Sequence, residues 1–86
     1  MKKDIRRNIE LACLDYLHLM KCQDPWVLQG RRVYSGEYIF QCCGSRTNQD
    51  LYGEIFVNPN GEIRIVSGSD SGFKERFEKL LVSNID

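Results

Sequence analysis

Apolar residues recur along the chain first with a helical period, then with an alternating one, then with a helical one again. From Asp4 to about Cys22, the residues Ile5, Ile9, Ala12, Cys13, Tyr16, Leu17 and Met20 fall on one face of an α-helix. Asp4 is the expected N-cap, and Glu10 lies near Arg6 and Arg7 on the exposed side. Leu11, Leu14 and Leu19 widen the stripe beyond what one sheet face needs, so this helix is expected to be wrapped by the sheet or covered by a second element, another subunit included. Asp24-Pro25 ends it, because a proline pushes the residue before it out of the α region.

Between Asp50 and Val66, residue choice comes nearest to dictating geometry. Pro59 presets φ for the first corner of a type I turn, Asn60 suits the second, and Gly61 accepts the left-handed conformation that re-enters the ladder through a bulge. With Pro59, Asn60 and Gly61 as the loop, Val57 faces Ile63 and Ile55 faces Ile65. Leu51, Ile55, Val57, Ile63 and Ile65 then point one way; Tyr52, Glu54, Phe56, Glu62, Arg64 and Val66 point the other. A two-residue loop would split the apolar set between both faces, so the longer loop is preferred. Upstream, Trp26-Val27-Leu28, Arg31-Arg32-Val33-Tyr34 and Tyr38 to Cys43 read as further strands, separated by Gly30, by Ser35-Gly36 and, ahead of the hairpin, by the polar loop Gly44 to Asp50.

Ser67 to Gly72 is a polar breaker, with Asp70 or Ser71 as the cap of a final short helix carrying Phe73, Phe77, Leu80 and Leu81 on one side. The expected architecture is a single α+β domain over residues 1–86, a long N-terminal helix packed on a three- to four-stranded antiparallel sheet, closed by a short C-terminal helix. The hairpin resembles the closing hairpin of small α+β domains with a long first helix, cystatin-like and NTF2-like ones among them. That resemblance implies a topology and carries no function.

Length and charge narrow the field. A domain of 86 residues buries a modest core, which keeps dimerisation open. Twelve basic and twelve acidic residues cancel, which argues against bulk nucleic acid or an anionic membrane as partner. Lys2, Lys3, Arg6, Arg7 and Asn8 interrupt the first apolar run, so neither a signal peptide nor a spanning helix is expected, and the chain is read as cytoplasmic. The four cysteines contain no Cys-x-x-Cys pair and are read as reduced thiols.

Candidate chemistry is sparse. Asp15, His18 and Cys22 fall at i, i+3 and i+7 on the first helix, which would suit a Cys-His nucleophile with an orienting carboxylate, or part of a metal site. Cys22 at a helix C-terminus is poorly placed for either, since the dipole there disfavours a thiolate; no cofactor or metal is therefore expected, and the chain is read as non-catalytic. Arg31, Arg32 and Arg64, with Arg46 and Tyr34, could face single-stranded nucleic acid, but Glu37, Glu54 and Glu62 lie among them. The remaining feature is the outer sheet surface of Tyr52, Glu54, Phe56, Glu62 and Arg64, aromatic at its centre and charged at its rim, as protein interfaces are. The expectation is a small cytosolic binding protein of the inhibitor, adaptor or immunity kind, with a thiol or metal protein using Cys22 and His18 as the alternative and a nucleic-acid binder as a third reading.

Overall fold

The computed structural model describes residues 5–44 and 51–85. Its order is α1 (Ile5–Leu19), β1 (Trp26–Arg31), β2 (Tyr38–Cys43), β3 (Leu51–Val57), β4 (Ile63–Ser67) and α2 (Phe73–Ile85). This is the expected α+β layout with four strands, all antiparallel and in sequential order across the sheet. Asp4, Arg46 and most of the Gly44–Asp50 loop lie outside the described residues.

Helix α1 buries Ile9, Ala12, Cys13, Tyr16 and Leu17, the stripe its periodicity predicts. It stops earlier than expected, and Pro25 is not what stops it. Lys21 takes a left-handed conformation (φ 59°), its N–H bonds the His18 carbonyl at 2.9 Å, and the Cys22 N–H bonds the Leu17 carbonyl at 3.1 Å. Those two bonds form a Schellman cap, which satisfies the last carbonyls of the helix before the proline is reached.

The hairpin has the predicted register, with Val57 opposite Ile63 and Ile55 opposite Ile65. Gly61 is left-handed (φ 89°), and its N–H closes the turn on the Asn58 carbonyl at 2.9 Å. The Asn58 side-chain oxygen also accepts from the N–H groups of Asn60 and Glu62, both at 2.9 Å. A side chain thus holds the bulge that sets the register.

Two strand assignments are corrected. Gly30 does not divide β1: the ladder runs through it opposite Ile39, and a side chain there would project into open space. Val33 and Tyr34 form the tip of the β1–β2 hairpin instead, where Gly36 (φ 75°) bonds back to the Arg32 carbonyl at 2.9 Å. In β3, Cys42 pairs with Gly53 and Cys43 with Leu51, so Tyr52 is an extra residue in a β-bulge. The bulge breaks the alternation there. Leu51 moves to the Cys43 side of the sheet, and Tyr52 turns toward the helices, its ring 5.8 Å from that of Tyr16.

Both helices cover the same face. Phe40, Cys42, Ile55 and Val57 from the sheet pack with Ile9, Ala12, Cys13, Tyr16 and Leu17 of α1 and Phe73, Phe77 and Leu81 of α2 in one core. Each fully buried Phe, Leu or Ile side chain there contributes about 1.5–3 kcal/mol. Tyr16 and Phe73 meet edge to face at 4.7 Å, and Phe73 stacks on Phe77 at 5.3 Å. Of the two expected caps it is Asp70 that holds the entry to α2: its carboxylate accepts from the Gly72 N–H and its carbonyl from the Phe73 N–H, both at 3.0 Å. The carboxylate also accepts from Tyr16, and the Ser67 hydroxyl accepts from the Lys74 N–H at 3.2 Å.

Candidate functional site

With both helices on one side, the opposite face of the sheet has no layer over it among the described residues. Strand register assigns its occupants: Trp26 and Leu28 from β1, Ile39, Gln41 and Cys43 from β2, Leu51, Glu54 and Phe56 from β3, and Arg64 and Val66 from β4. Antiparallel sheets tolerate one wet face where polar side chains alternate through it, as Gln41, Glu54 and Arg64 do here.

Phe56 is the centre of this face and is only 6% exposed, although it belongs to the outer side and not to the helix-side core. Guanidinium groups cover it. Arg64, its cross-strand partner, holds its Cζ 4.3 Å from the ring centroid, and Arg32 from the other hairpin holds its Cζ at 5.4 Å. Glu37 lies between them, 3.6 Å from Arg64 and 3.9 Å from Arg32. Those separations are long and both arginine side chains are more than half exposed, so the guanidiniums keep most of their donors for a visitor. Beside them, Gly30 leaves a concavity of about 220 Å³ bordered by Leu28, Arg32, Ile39 and Gln41.

Of the five residues expected to face a partner, Glu54, Phe56 and Arg64 share this face. Glu54 accepts a 2.7 Å hydrogen bond from Gln41. Glu62 sits in the hairpin loop ahead of β4, its carboxylate held by Asn58 at 2.7 Å. Tyr52 is on the helix side, where its hydroxyl accepts from the Cys22 thiol at 3.6 Å. Sequence reasoning missed Arg32, Glu37, Leu28 and Ile39 as parts of one surface. The visible signal was Ile39 in the outward phase of β2; the meeting of Arg32 with Phe56 needs both hairpins in place.

No family model, curated protein or solved structure matches the chain.

The other candidate groupings come apart. Asp15 accepts from Asn84 of α2 at 3.0 Å, His18 is exposed on α1, and Cys22 lies beyond the left-handed Lys21, so the helical alignment of the three is lost. Among the described residues no three His, Cys, Asp or Glu side chains gather as metal ligands would. Cys13 and Cys42 are fully buried in the same core, and the neighbouring Cys42 thiol together with burial pushes the Cys13 thiol far up. Burial likewise raises Cys43. The basic residues divide between faces: Arg31 joins Arg6 over the Tyr38 ring on the helix side, at 5.7 and 5.0 Å, whereas Arg32 and Arg64 are on the outer side. No helix among the described residues is long and apolar enough to cross a membrane.

Proposed function

We propose that the chain is a non-catalytic binding module that occupies a surface of a protein partner through its outer sheet face. One observation carries this: a sheet face that has no covering layer among the described residues holds an aromatic ring between two half-exposed guanidiniums, next to a concavity walled by Leu28 and Ile39. Aromatic and arginine anchors beside an apolar hollow, ringed by polar groups, are the composition of interface hot spots. The partner's complement is a carboxylate for Arg32 and Arg64 and an apolar side chain for the hollow. Four thiols outside any disulfide fit action in a reducing compartment such as the cytoplasm.

The test is affinity capture from cells of the source, quantified by mass spectrometry, with the wild-type chain beside Arg64→Ala and Ile39→Asp. A partner retained by the wild type and lost by both variants, with their folds intact by circular dichroism, supports the reading. Equal recovery by all three removes the outer face from consideration.

A further inference from the structure

Strands β1 and β4 are the two edges of the sheet, and each leaves half of its backbone groups without a ladder partner. The register says which. The Arg32 N–H donates to the Glu37 carbonyl at 2.8 Å, so bonded pairs recur every second residue at Gly30–Ile39, Leu28–Gln41 and Trp26–Cys43. The N–H and C=O groups of Val27, Gln29 and Arg31 therefore point away from the sheet. At the far edge, the bond from the Asn58 N–H to the Glu62 carbonyl leaves Ile63, Ile65 and Ser67 pointing outward by the same logic.

The two edges are guarded differently. Glu62, Arg64 and the α2 residues Lys74 and Glu78 line the cavity beside β4, and charges of this kind discourage strand addition. The run Trp26 to Gly30 carries no charge and no proline. Its second half is exposed, and Leu28 alone is 48% accessible.

We propose that β1 pairs antiparallel with β1 of a second copy of this chain, about a two-fold axis at Gln29, joining two sheets into one continuous sheet. The reading rests on the strand's edge and shares with the outer-face proposal only the hollow beside Gly30; the Gln29 variants below test it separately, because the Gln29 side chain lies on the helix side against Glu10. In this register Gln29 faces its own copy, Val27 faces Arg31, and Trp26 faces Arg32, so no like charges meet and the outward backbone groups of all three edge residues are bonded. Leu28 falls opposite Gly30 at a non-bonded pair, where side chains approach most closely. The second copy's Leu28 thereby meets the hollow of about 220 Å³ that Gly30 leaves, and the relation is reciprocal, as an isologous interface requires. Leu14, 44% exposed, lies one helical turn beyond Glu10, which is bonded to Gln29 at 3.1 Å, and so adds apolar surface on the same side of α1.

Light scattering coupled to size exclusion on the full chain tests this. The wild type is expected at twice the 10.0 kDa chain mass. Gln29→Pro removes an outward N–H that the β1–β2 ladder does not use, and its mass should fall to that of one chain with the circular dichroism unchanged. Gln29→Glu and Gln29→Lys place like charges across the axis, so each alone should be monomeric while their equimolar mixture recovers the dimer mass; this pair decides the matter if the proline variant misfolds. A monomeric wild type at the highest soluble concentration overturns the proposal. So does a dimer that keeps its full mass in both charge variants.

Discussion

Tyr16, fully buried on α1, donates its hydroxyl to the carboxylate of Asp70 in the loop ahead of α2. The same carboxylate accepts from the Gly72 N–H at 3.0 Å and from Arg76 at 2.6 Å. The first helix is therefore latched to the start of the last one. The latch sits at the edge of the aromatic row formed by Tyr52, Tyr16, Phe73 and Phe77.

This latch should make stability pH-dependent in acid. The Tyr16 hydroxyl first, then the Gly72 N–H and Arg76, holds the Asp70 carboxyl below its ordinary range despite partial burial. The folded chain thus binds a proton at Asp70 less readily than the unfolded chain does. The contribution is complete above the ordinary Asp range near pH 4 and is lost as the pH falls through and below it. Asp70→Asn should melt below the wild type at pH 7, and the gap should narrow progressively toward pH 3. A gap independent of pH would mean that the charge on Asp70 is not what matters. Tyr16→Phe should cost about 1.5–3 kcal/mol at neutral pH, as loss of a hydrogen bond to a charged group does.

Gly53 allows Phe73 to lie flat against β3. A Cβ at Gly53 would stand 2.2 Å from the Phe73 ring, well inside contact distance, and Phe73 is fully buried. Gly53→Ala should destabilise by about 1–3 kcal/mol through overpacking. Pairing it with Phe73→Leu, which makes room, should give a double variant less destabilised than the two single changes added together. Chemical denaturation of the four proteins measures this coupling; strict additivity would show that the ring and the glycine do not constrain one another.

Lys21 caps α1 in a conformation that favours glycine. Lys21→Gly relieves the Cβ clash and gives back part of that gain as unfolded-chain entropy, so a net stabilisation of about 0.5–1 kcal/mol is expected. For a domain of this size that corresponds to a rise in Tm of roughly 2–8 °C. Differential scanning calorimetry reads it directly, and a fall in Tm would mean that the Lys21 side chain makes a contribution larger than the strain.

The thiols should label in two classes. Cys13 and Cys42 are fully buried free thiols in the core, while Cys22 and Cys43 are half-buried. Alkylation of the first pair should require opening of the core and accelerate with denaturant, whereas Cys22 should react in the native state. Peptide mass spectrometry after timed labelling separates the two. Rapid native labelling of Cys13 would contradict the packing of α1 on β2.

The legible parts of this protein are those whose geometry is local. The stripe from Ile5 to Leu17 states a helix because a helix repeats every 3.6 residues, and Asn58-Pro59-Asn60-Gly61 states a turn because proline and glycine restrict φ in opposite senses. The register of Val57 on Ile63 follows from that turn. The candidate face was legible only in part: Glu54, Phe56 and Arg64 share it because they alternate with the buried aliphatics of the same hairpin. Arg32 and Glu37 come from a different hairpin, and no periodicity relates them to Phe56.

The errors fall where distant packing overrides a local rule. Tyr52 alternates with Gly53 on paper, yet a bulge opposite Cys42 and Cys43 turns it to the helix side, where Tyr16 and the Cys22 thiol receive it. The chain by itself determined the elements, their order and the inward placement of Ile55, Val57, Ile63 and Ile65 in the hairpin, though not that of Leu51, since these depend on backbone sterics and residue period. The tertiary structure alone decided that both helices share one face, that Tyr52 turns inward and that two arginines close over Phe56. Each of those outcomes is a contact between residues far apart in the chain, chosen by packing and charge once the elements meet.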